Sequence, residues 1–128
     1  VHFAGRVPYE TYVKLLQRSD THVYLTYPFV ASWSLREAMA TGCAIVGSDV
    51  EPVREFLTHR KTGLLTPFLE PHRIAQSVLE LLEDSKLNQR LRRNARAWAE
   101  KHLGMAEYIA NFEALIGRII AGEMQGGQ

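Results

Sequence analysis

Short apolar segments alternate with helix-forming segments along the first half of the chain. Four of the apolar segments are rich in β-forming residues and have no polar face, which is typical of strands covered on both sides. They are VHFAG (1–5), HVYLT (22–26), CAIVGS (43–48) and GLLT (63–66). Residues 8–19, 35–41 and 50–59, which separate them, favour helices. The alternation predicts an α/β fold in which helices cover a parallel sheet.

Three further helices are predicted after the last strand, at about 71–84, 86–102 and 106–121. Each has an apolar stripe, which in the last helix includes Ile109, Phe112, Ile116 and Ile119. An apolar stripe indicates packing against another surface, so we expect all three helices to be partly buried. Residues 122–128 have little to bury and are predicted to be disordered, which leaves residues 1–121 as the domain.

Length and composition describe an ordinary globular protein with one core. The chain has 128 residues, of which 46% are hydrophobic and 23% charged. A net charge of +1 argues against a nucleic-acid partner held by phosphate neutralisation. Cys43 is the only cysteine and is interpreted as a small buried residue, so neither a disulfide nor a cysteine-rich metal site is expected. No metal-ligand spacing joins the five histidines, and no metal site is predicted.

The chain opens directly on the VHFAG run, without any lead-in. This start suggests a fragment of a longer protein. The sequence has no apolar stretch long enough for a membrane span and no signal-peptide pattern, so a cytoplasmic protein is expected. Five basic residues between 90 and 101 are interpreted as a solvated helix face, with membrane contact as the alternative.

The segment from residue 28 to residue 67 contains the most specific pattern. Its pieces are EAMA (37–40), Gly42, AIV (44–46), Glu55 and GLL (63–65), in that order. Together with VHFAGRV at the start and the run 18–27, they resemble the C-terminal, nucleotide-sugar-binding domain of the retaining glycosyltransferases of family 4. The resemblance covers nearly the whole chain. It implies part of a Rossmann-like, three-layer domain with a parallel sheet, from a GT-B enzyme of two such domains.

The resemblance also implies an activity for the complete protein. Enzymes of this family transfer a sugar from an NDP-sugar to an acceptor hydroxyl and retain the anomeric configuration, without a required metal or cofactor. The NDP-sugar is a substrate. The acceptor would be a sugar, a lipid-linked molecule or a small molecule, held by an N-terminal domain that this chain lacks. Because the diphosphate-gripping Arg and Lys of the family precede residue 1, the fragment alone is expected to be inactive.

Glu37 is the main candidate for nucleotide binding. The resemblance implies that its carboxylate accepts hydrogen bonds from the ribose hydroxyls, a role that suits two acceptor oxygens without a competing donor. In the alternative interpretation, Ser34 and Glu37 form a capping box that stabilises the helix start. The loop from Ala31 to Leu35, which contains Trp33, is expected to offer backbone amides to the diphosphate.

Other positions match the family less completely. Gly5, Arg6 and Val7 align with the turn that holds the base, and Glu55 with a residue at the periphery of the donor site. Phe29 stands where the family has a glutamate that contacts the transferred sugar, so no catalytic residue is assigned. This departure supports the alternative function, a non-catalytic binding or assembly module. An unpaired sheet edge would also favour self-association of the fragment.

Overall fold

The computed structural model describes residues 1–121, so the predicted disorder of residues 122–128 lies outside the described residues. Within this range, three parallel strands form one sheet in the order β1-β2-β3. They are β1 (His22–Tyr24), β2 (Ile45–Ser48) and β3 (Leu64–Thr66). His22 lies opposite Ile45, and Val46 lies opposite Leu64. The central strand β2 is buried along its whole length, as its unbroken apolar run predicts.

Helices connect and follow the strands. They are α1 (Tyr9–Arg18), α2 (Trp33–Ala40), α3 (Glu51–Arg54), α4 (Pro71–Glu83), α5 (Ser85–His102) and α6 (Met105–Ile120). Gly42 follows α2 with φ +75°, a left-handed conformation typical of the residue after a helix end. The Asp84 side chain accepts a hydrogen bond of 2.9 Å from the Leu87 amide and so caps the start of α5.

Two hydrophobic clusters on opposite faces of the sheet make this a three-layer α/β domain. Ile45 belongs to the first cluster, with buried side chains from α1, α2 and α3. Its neighbour Val46 points to the other face and belongs to the second cluster, with Leu64 and buried side chains of α4 and α5. Successive residues of a strand alternate between faces, so one short strand fills both clusters. The predicted α/β class is confirmed.

The expected strand at residues 1–5 is wrong, because these residues are exposed and pair with no other strand among residues 1–121. Strand conformation is held by hydrogen bonds to a neighbour, and an apolar run without a neighbour has none. The helix expected at 50–59 is limited to Glu51–Arg54. Pro52 lies in its first turn, where a proline is tolerated because its missing N–H has no partner in the helix.

The apolar stripe of α6 is also exposed, contrary to the expectation of partial burial. Phe112 is 53% exposed and Ile119 is 51% exposed, and none of the residues of α6 is buried. The prediction fails because the stripe records an apolar face but not whether a covering surface is present. Helices α4 and α5 do bury the predicted positions Leu81, Leu87 and Leu91.

Helix α5 binds the loops that precede the strands. The Arg92 guanidinium donates to the Gly42 carbonyl at 2.8 Å and to the Ser19 carbonyl at 3.3 Å. Arg96 donates to the Ala40 carbonyl, and Asn88 donates to the Asp20 carbonyl. The expected solvated basic face is therefore only partly correct. These contacts hold the amino edge of the sheet and leave the carboxyl edge to the other loops.

Candidate functional site

The loop from residue 25 to residue 32 leaves β1 at the carboxyl edge of the sheet. Two hydrogen bonds to buried side chains attach it: the Thr26 amide donates to Ser48 Oγ, and the Ser32 amide donates to Tyr24 Oη, both at 2.8 Å. Open α/β sheets bind ligands at this edge. The loop is therefore held at its two ends where a ligand is expected.

Helix α2 begins at Trp33, with Ser32 as its N-cap. Ser34 lies inside the first turn, so the capping box proposed for Ser34 and Glu37 is wrong: the helix begins earlier than that motif requires. No side chain caps this end. The first amides, at Trp33 and Ser34, have no acceptor within the helix, and the helix dipole favours an anion there. Leu35 is fully buried and fixes the turn to the core.

Glu37 is half-buried and lies one turn further along α2. Its charge influences the titration of two tyrosines on α1, Tyr9 and Tyr12. The negative charge of Glu37 is the main cause that raises the pKa of Tyr9. Burial is the main cause that raises the pKa of Tyr12, and the Glu37 charge adds to it. The charge of Glu37 on α2 therefore raises the pKa of two phenols on a different helix.

A cleft of about 560 Å³ lies next to these groups. Its walls are formed by Arg6, Val7, Pro8, Tyr9 and Tyr12. Gly5 precedes the cleft with φ +60°, a conformation that glycine adopts without strain. Arg6 is exposed and Val7 is half-buried, so the cleft has one exposed cation and one partly buried apolar side chain in its walls. The cleft thus joins Arg6 and Val7 of the turn 5–7 to two side chains of α1.

Phe29 and Glu55 lie outside the walls of this cleft. The Phe29 ring is 85% exposed in the loop that follows β1. Glu55 is exposed at the C-cap of the short helix α3. A phenyl ring has no hydrogen-bonding group, so Phe29 offers neither an acceptor nor a proton at this edge. Its exposure to solvent also costs free energy.

Arg36 is a feature of this site that the sequence interpretation missed. Its guanidinium carbon lies 4.9 Å from the ring centre of Trp33 and 4.7 Å from that of Phe56. Phe56 in turn contacts Trp98 of α5 edge to face. Tyr9 and Tyr12 were missed as well, although their spacing on α1 predicts a shared face. Their approach to Glu37 joins residues far apart in sequence, and no local pattern records it.

Metal-ligating side chains are not clustered at this edge. Among residues 1–121, no group of three His, Cys, Asp or Glu side chains is arranged to hold a metal ion. Over the same range, each helix is too short or too polar to cross a membrane. Cys43 is buried as expected, burial raises its thiol pKa, and its sulfur donates to the Leu16 carbonyl.

The described residues form a Rossmann-like α/β fold, and comparison with known proteins identifies the family. Residues 1–98 match the family described as glycosyl transferases group 1. This match covers more than half of the chain. The chain therefore belongs to the group 1 glycosyl transferases, which confirms the resemblance to GT-B glycosyltransferases that the motifs indicated.

Two curated relatives are enzymes that transfer sugars. The chain is 35% identical over 95 residues to the N,N'-diacetylbacillosaminyl-diphospho-undecaprenol alpha-1,3-N-acetylgalactosaminyltransferase of Campylobacter jejuni, covering 74% of this chain and 25% of that protein. It is 23% identical over 130 residues to the N-acetyl-alpha-D-glucosaminyl L-malate synthase of Bacillus anthracis, covering 98% of this chain and 34% of that protein. The chain thus spans about a third or less of each relative.

Solved structures show the same fold. Sucrose-phosphate synthase from Thermosynechococcus elongatus superposes with a TM-score of 0.80 at 22% identity, covering 94% of this chain and 30% of the enzyme. The Anabaena protein HepE in complex with UDP-glucose superposes with a TM-score of 0.76 at 20% identity, covering 81% of this chain and 29% of HepE. These similarities confirm the expected Rossmann-like α/β class.

Proposed function

We propose that this chain binds the nucleoside diphosphate part of an NDP-sugar and contributes that site to a hexosyltransferase. The uncapped start of α2 carries the proposal, and two further features support it: Glu37 on the same helix, and the cleft beside Arg6, whose walls include the two tyrosines that Glu37 influences. The fold it shares with HepE, which has been solved with UDP and with UDP-glucose, supports a ligand of this class.

Each feature would bind a different part of the donor. A carboxylate oxygen of Glu37 accepts a hydrogen bond from a ribose hydroxyl. The amides of Trp33 and Ser34 donate to the diphosphate, where the dipole of α2 adds to the attraction. Arg6 at the rim of the cleft meets the base or a phosphate, and the turn formed by Gly5 and Val7 lines the base. During transfer the same amides would stabilise the charge on the departing diphosphate.

The complete protein would move the sugar to an acceptor hydroxyl with retention, as in family 4, using the NDP-sugar as substrate and no cofactor. The C. jejuni relative, whose name specifies an undecaprenol diphosphate acceptor, makes a lipid-linked acceptor one option beside a sugar or a small molecule. We place Glu55 at the periphery of the donor site. Phe29 supplies no group for catalysis.

A non-catalytic module is the second candidate function. The exposed Phe29 ring favours it, because the family has a glutamate there that contacts the transferred sugar. Transfer from UDP-glucose, UDP-N-acetylglucosamine and GDP-mannose by the protein in its natural length separates the two candidates. Sugar release or transfer supports the enzyme, whereas nucleotide binding without turnover supports the module.

Binding of UDP, GDP and ADP, measured by calorimetry on the protein in its natural length, tests the site itself. A hydrogen bond to a charged group contributes about 1.5–3 kcal/mol, so Glu37→Gln should weaken binding about 10- to 100-fold. Glu113→Gln on the exposed face of α6 is the charge-matched control and should bind like wild type. Equal binding by Glu37→Gln and wild type contradicts the ribose assignment.

A further inference from the structure

Tyr24 is the last residue of β1, and its hydroxyl reaches the start of α2. The side chain belongs to the first hydrophobic cluster, and the residue is only 7% exposed. Its Oη accepts a hydrogen bond of 2.8 Å from the amide of Ser32, the N-cap of the helix. A strand of the core is therefore joined directly to the residue at which α2 begins.

The amides at this end of α2 divide into occupied and free ones. The Ser32 amide donates to Tyr24, and the Leu35 amide donates to the Ser32 carbonyl at 3.3 Å. Between them, the amides of Trp33 and Ser34 have no acceptor within the helix. Leu35 is fully buried in the same cluster as Tyr24. The backbone that carries the two free amides is therefore held on both sides.

The other end of the loop 25–32 is attached by a contact of the same kind. Ser48 is fully buried, and its Oγ accepts from the Thr26 amide, also at 2.8 Å. Each of the two hydroxyls thus accepts one amide of this loop. Only the Tyr24 hydroxyl binds the residue that begins α2, so Ser48 offers a matched comparison.

We propose that Tyr24 is a positioning residue: by accepting the Ser32 amide, its hydroxyl fixes the start of α2 and keeps the Trp33 and Ser34 amides oriented towards the diphosphate of a bound nucleotide. This inference rests on the proposed function. Donors that are already in place lose little conformational freedom when the ligand binds. A phenol suits the task because its oxygen accepts from an amide and carries no charge that would repel a diphosphate.

Comparison of a nucleoside diphosphate with its nucleoside tests this role. The probes are whichever of UDP, GDP and ADP binds tightest and the corresponding nucleoside, titrated by NMR into the protein in its natural length. Two hydrogen bonds to a charged group correspond to a wild-type preference for the diphosphate of about 100-fold or more. Tyr24→Phe keeps the ring in the core and removes the acceptor, so it should reduce this preference about 10-fold and leave nucleoside binding unchanged.

Ser48→Ala is the matched control, because it also removes a buried hydroxyl that accepts an amide of the loop. The two variants should lower the urea midpoint by similar amounts, but Ser48→Ala should keep the diphosphate preference within about threefold of wild type. A merely structural role of Tyr24 would make the two variants alike in preference as well. An unchanged preference in Tyr24→Phe, or an equal fall in both variants, overturns the inference and leaves the proposed function standing.

Hydrogen exchange of the backbone amides, followed by NMR, needs no nucleotide. Tyr24→Phe should speed exchange at Ser32 about 3- to 10-fold and leave Thr26 unchanged, and Ser48→Ala should do the reverse. Exchange at Ser32 as slow in Tyr24→Phe as in wild type overturns the inference even where nucleotides bind. Absence of diphosphate binding by wild type overturns the proposed function, and the positioning role of Tyr24 fails with it.

Discussion

Arg92 connects helix α5 to the loops that precede β1 and β2, and Arg92→Met tests how much that connection stabilises the fold. The substitution keeps a long apolar side chain of similar reach and removes both donors. It leaves the carbonyl of Gly42, a buried residue, without its partner at 2.8 Å. It also removes the longer contact of 3.3 Å to the Ser19 carbonyl.

The expected loss can be worked from these two contacts. An unsatisfied buried carbonyl costs about 1–3 kcal/mol, and the longer, partly exposed contact contributes the smaller share. We expect Arg92→Met to lower the free energy of unfolding by about 2 kcal/mol. In urea, with a slope of about 2 kcal/mol per molar, this corresponds to a midpoint about 1 M lower. Arg92→Lys keeps the charge but not the two-pronged geometry, so it should lose about half as much.

Equilibrium unfolding of the 128-residue chain in urea, followed by circular dichroism, measures these values. Arg93→Met is the matched control, because the neighbouring side chain is exposed and makes no hydrogen bond or ion pair within residues 1–121. It should change stability by no more than about 0.5 kcal/mol. Should Arg92→Met and Arg93→Met unfold at the same urea concentration, the assignment of a stabilising role to the Arg92 contacts is refuted.

Three further predictions follow from the core and the sheet. A Cβ at Gly63 would lie 3.0 Å from the Ile45 carbonyl oxygen, so Gly63→Ala should cost about 1–3 kcal/mol in a urea titration; an unchanged midpoint contradicts it. Burial lowers the pKa of His22, so protonation favours the unfolded chain and the free energy of unfolding should fall as the pH drops below about 6.5. In His22→Asn this pH dependence of stability should flatten. An unaltered pH dependence in His22→Asn would contradict the role given to His22. Thermal unfolding should show a loss of about 2–5 kcal/mol for Leu91→Ala and about 0.5 kcal/mol or less for Phe112→Ala, and equal losses would contradict the burial described.

The elements that could be predicted from the sequence are those with strong local signals. The runs around Ile45 and Leu64 are apolar on both faces, and the structure contains strands there. The run at residues 1–5 has the same composition and forms none, because pairing depends on a neighbour elsewhere in the chain. The expected burial of α6 was wrong for a related reason: an apolar face does not specify which surface covers it.

The residues of the candidate site also differ in whether a local sequence pattern points to them. Glu37, the loop from Ala31 to Leu35 and the turn at 5–7 could be singled out because motifs depend on short spacings, and their binding roles stay predictions. The capping box failed by a shift of two residues, since the Tyr24 hydroxyl accepts from the Ser32 amide and α2 begins directly after Ser32. The effect of Glu37 on the pKa of Tyr12 links residues 25 positions apart. The acceptors of the Arg92 hydrogen bonds are backbone carbonyls, which every residue carries. Such contacts leave no pattern in a single sequence.

The stacking of Arg36 on Trp33 gives the chain a built-in optical reporter. Trp33 and Trp98 are its two tryptophans; the first is 72% exposed at the start of α2, and the second packs against Phe56. The Arg36 guanidinium lies within 5 Å of the Trp33 ring. An anion that binds at the same turn has the opposite charge, so its binding would change the emission of Trp33. With Trp98→Phe, fluorescence from a single indole would follow occupancy of the candidate site without a label.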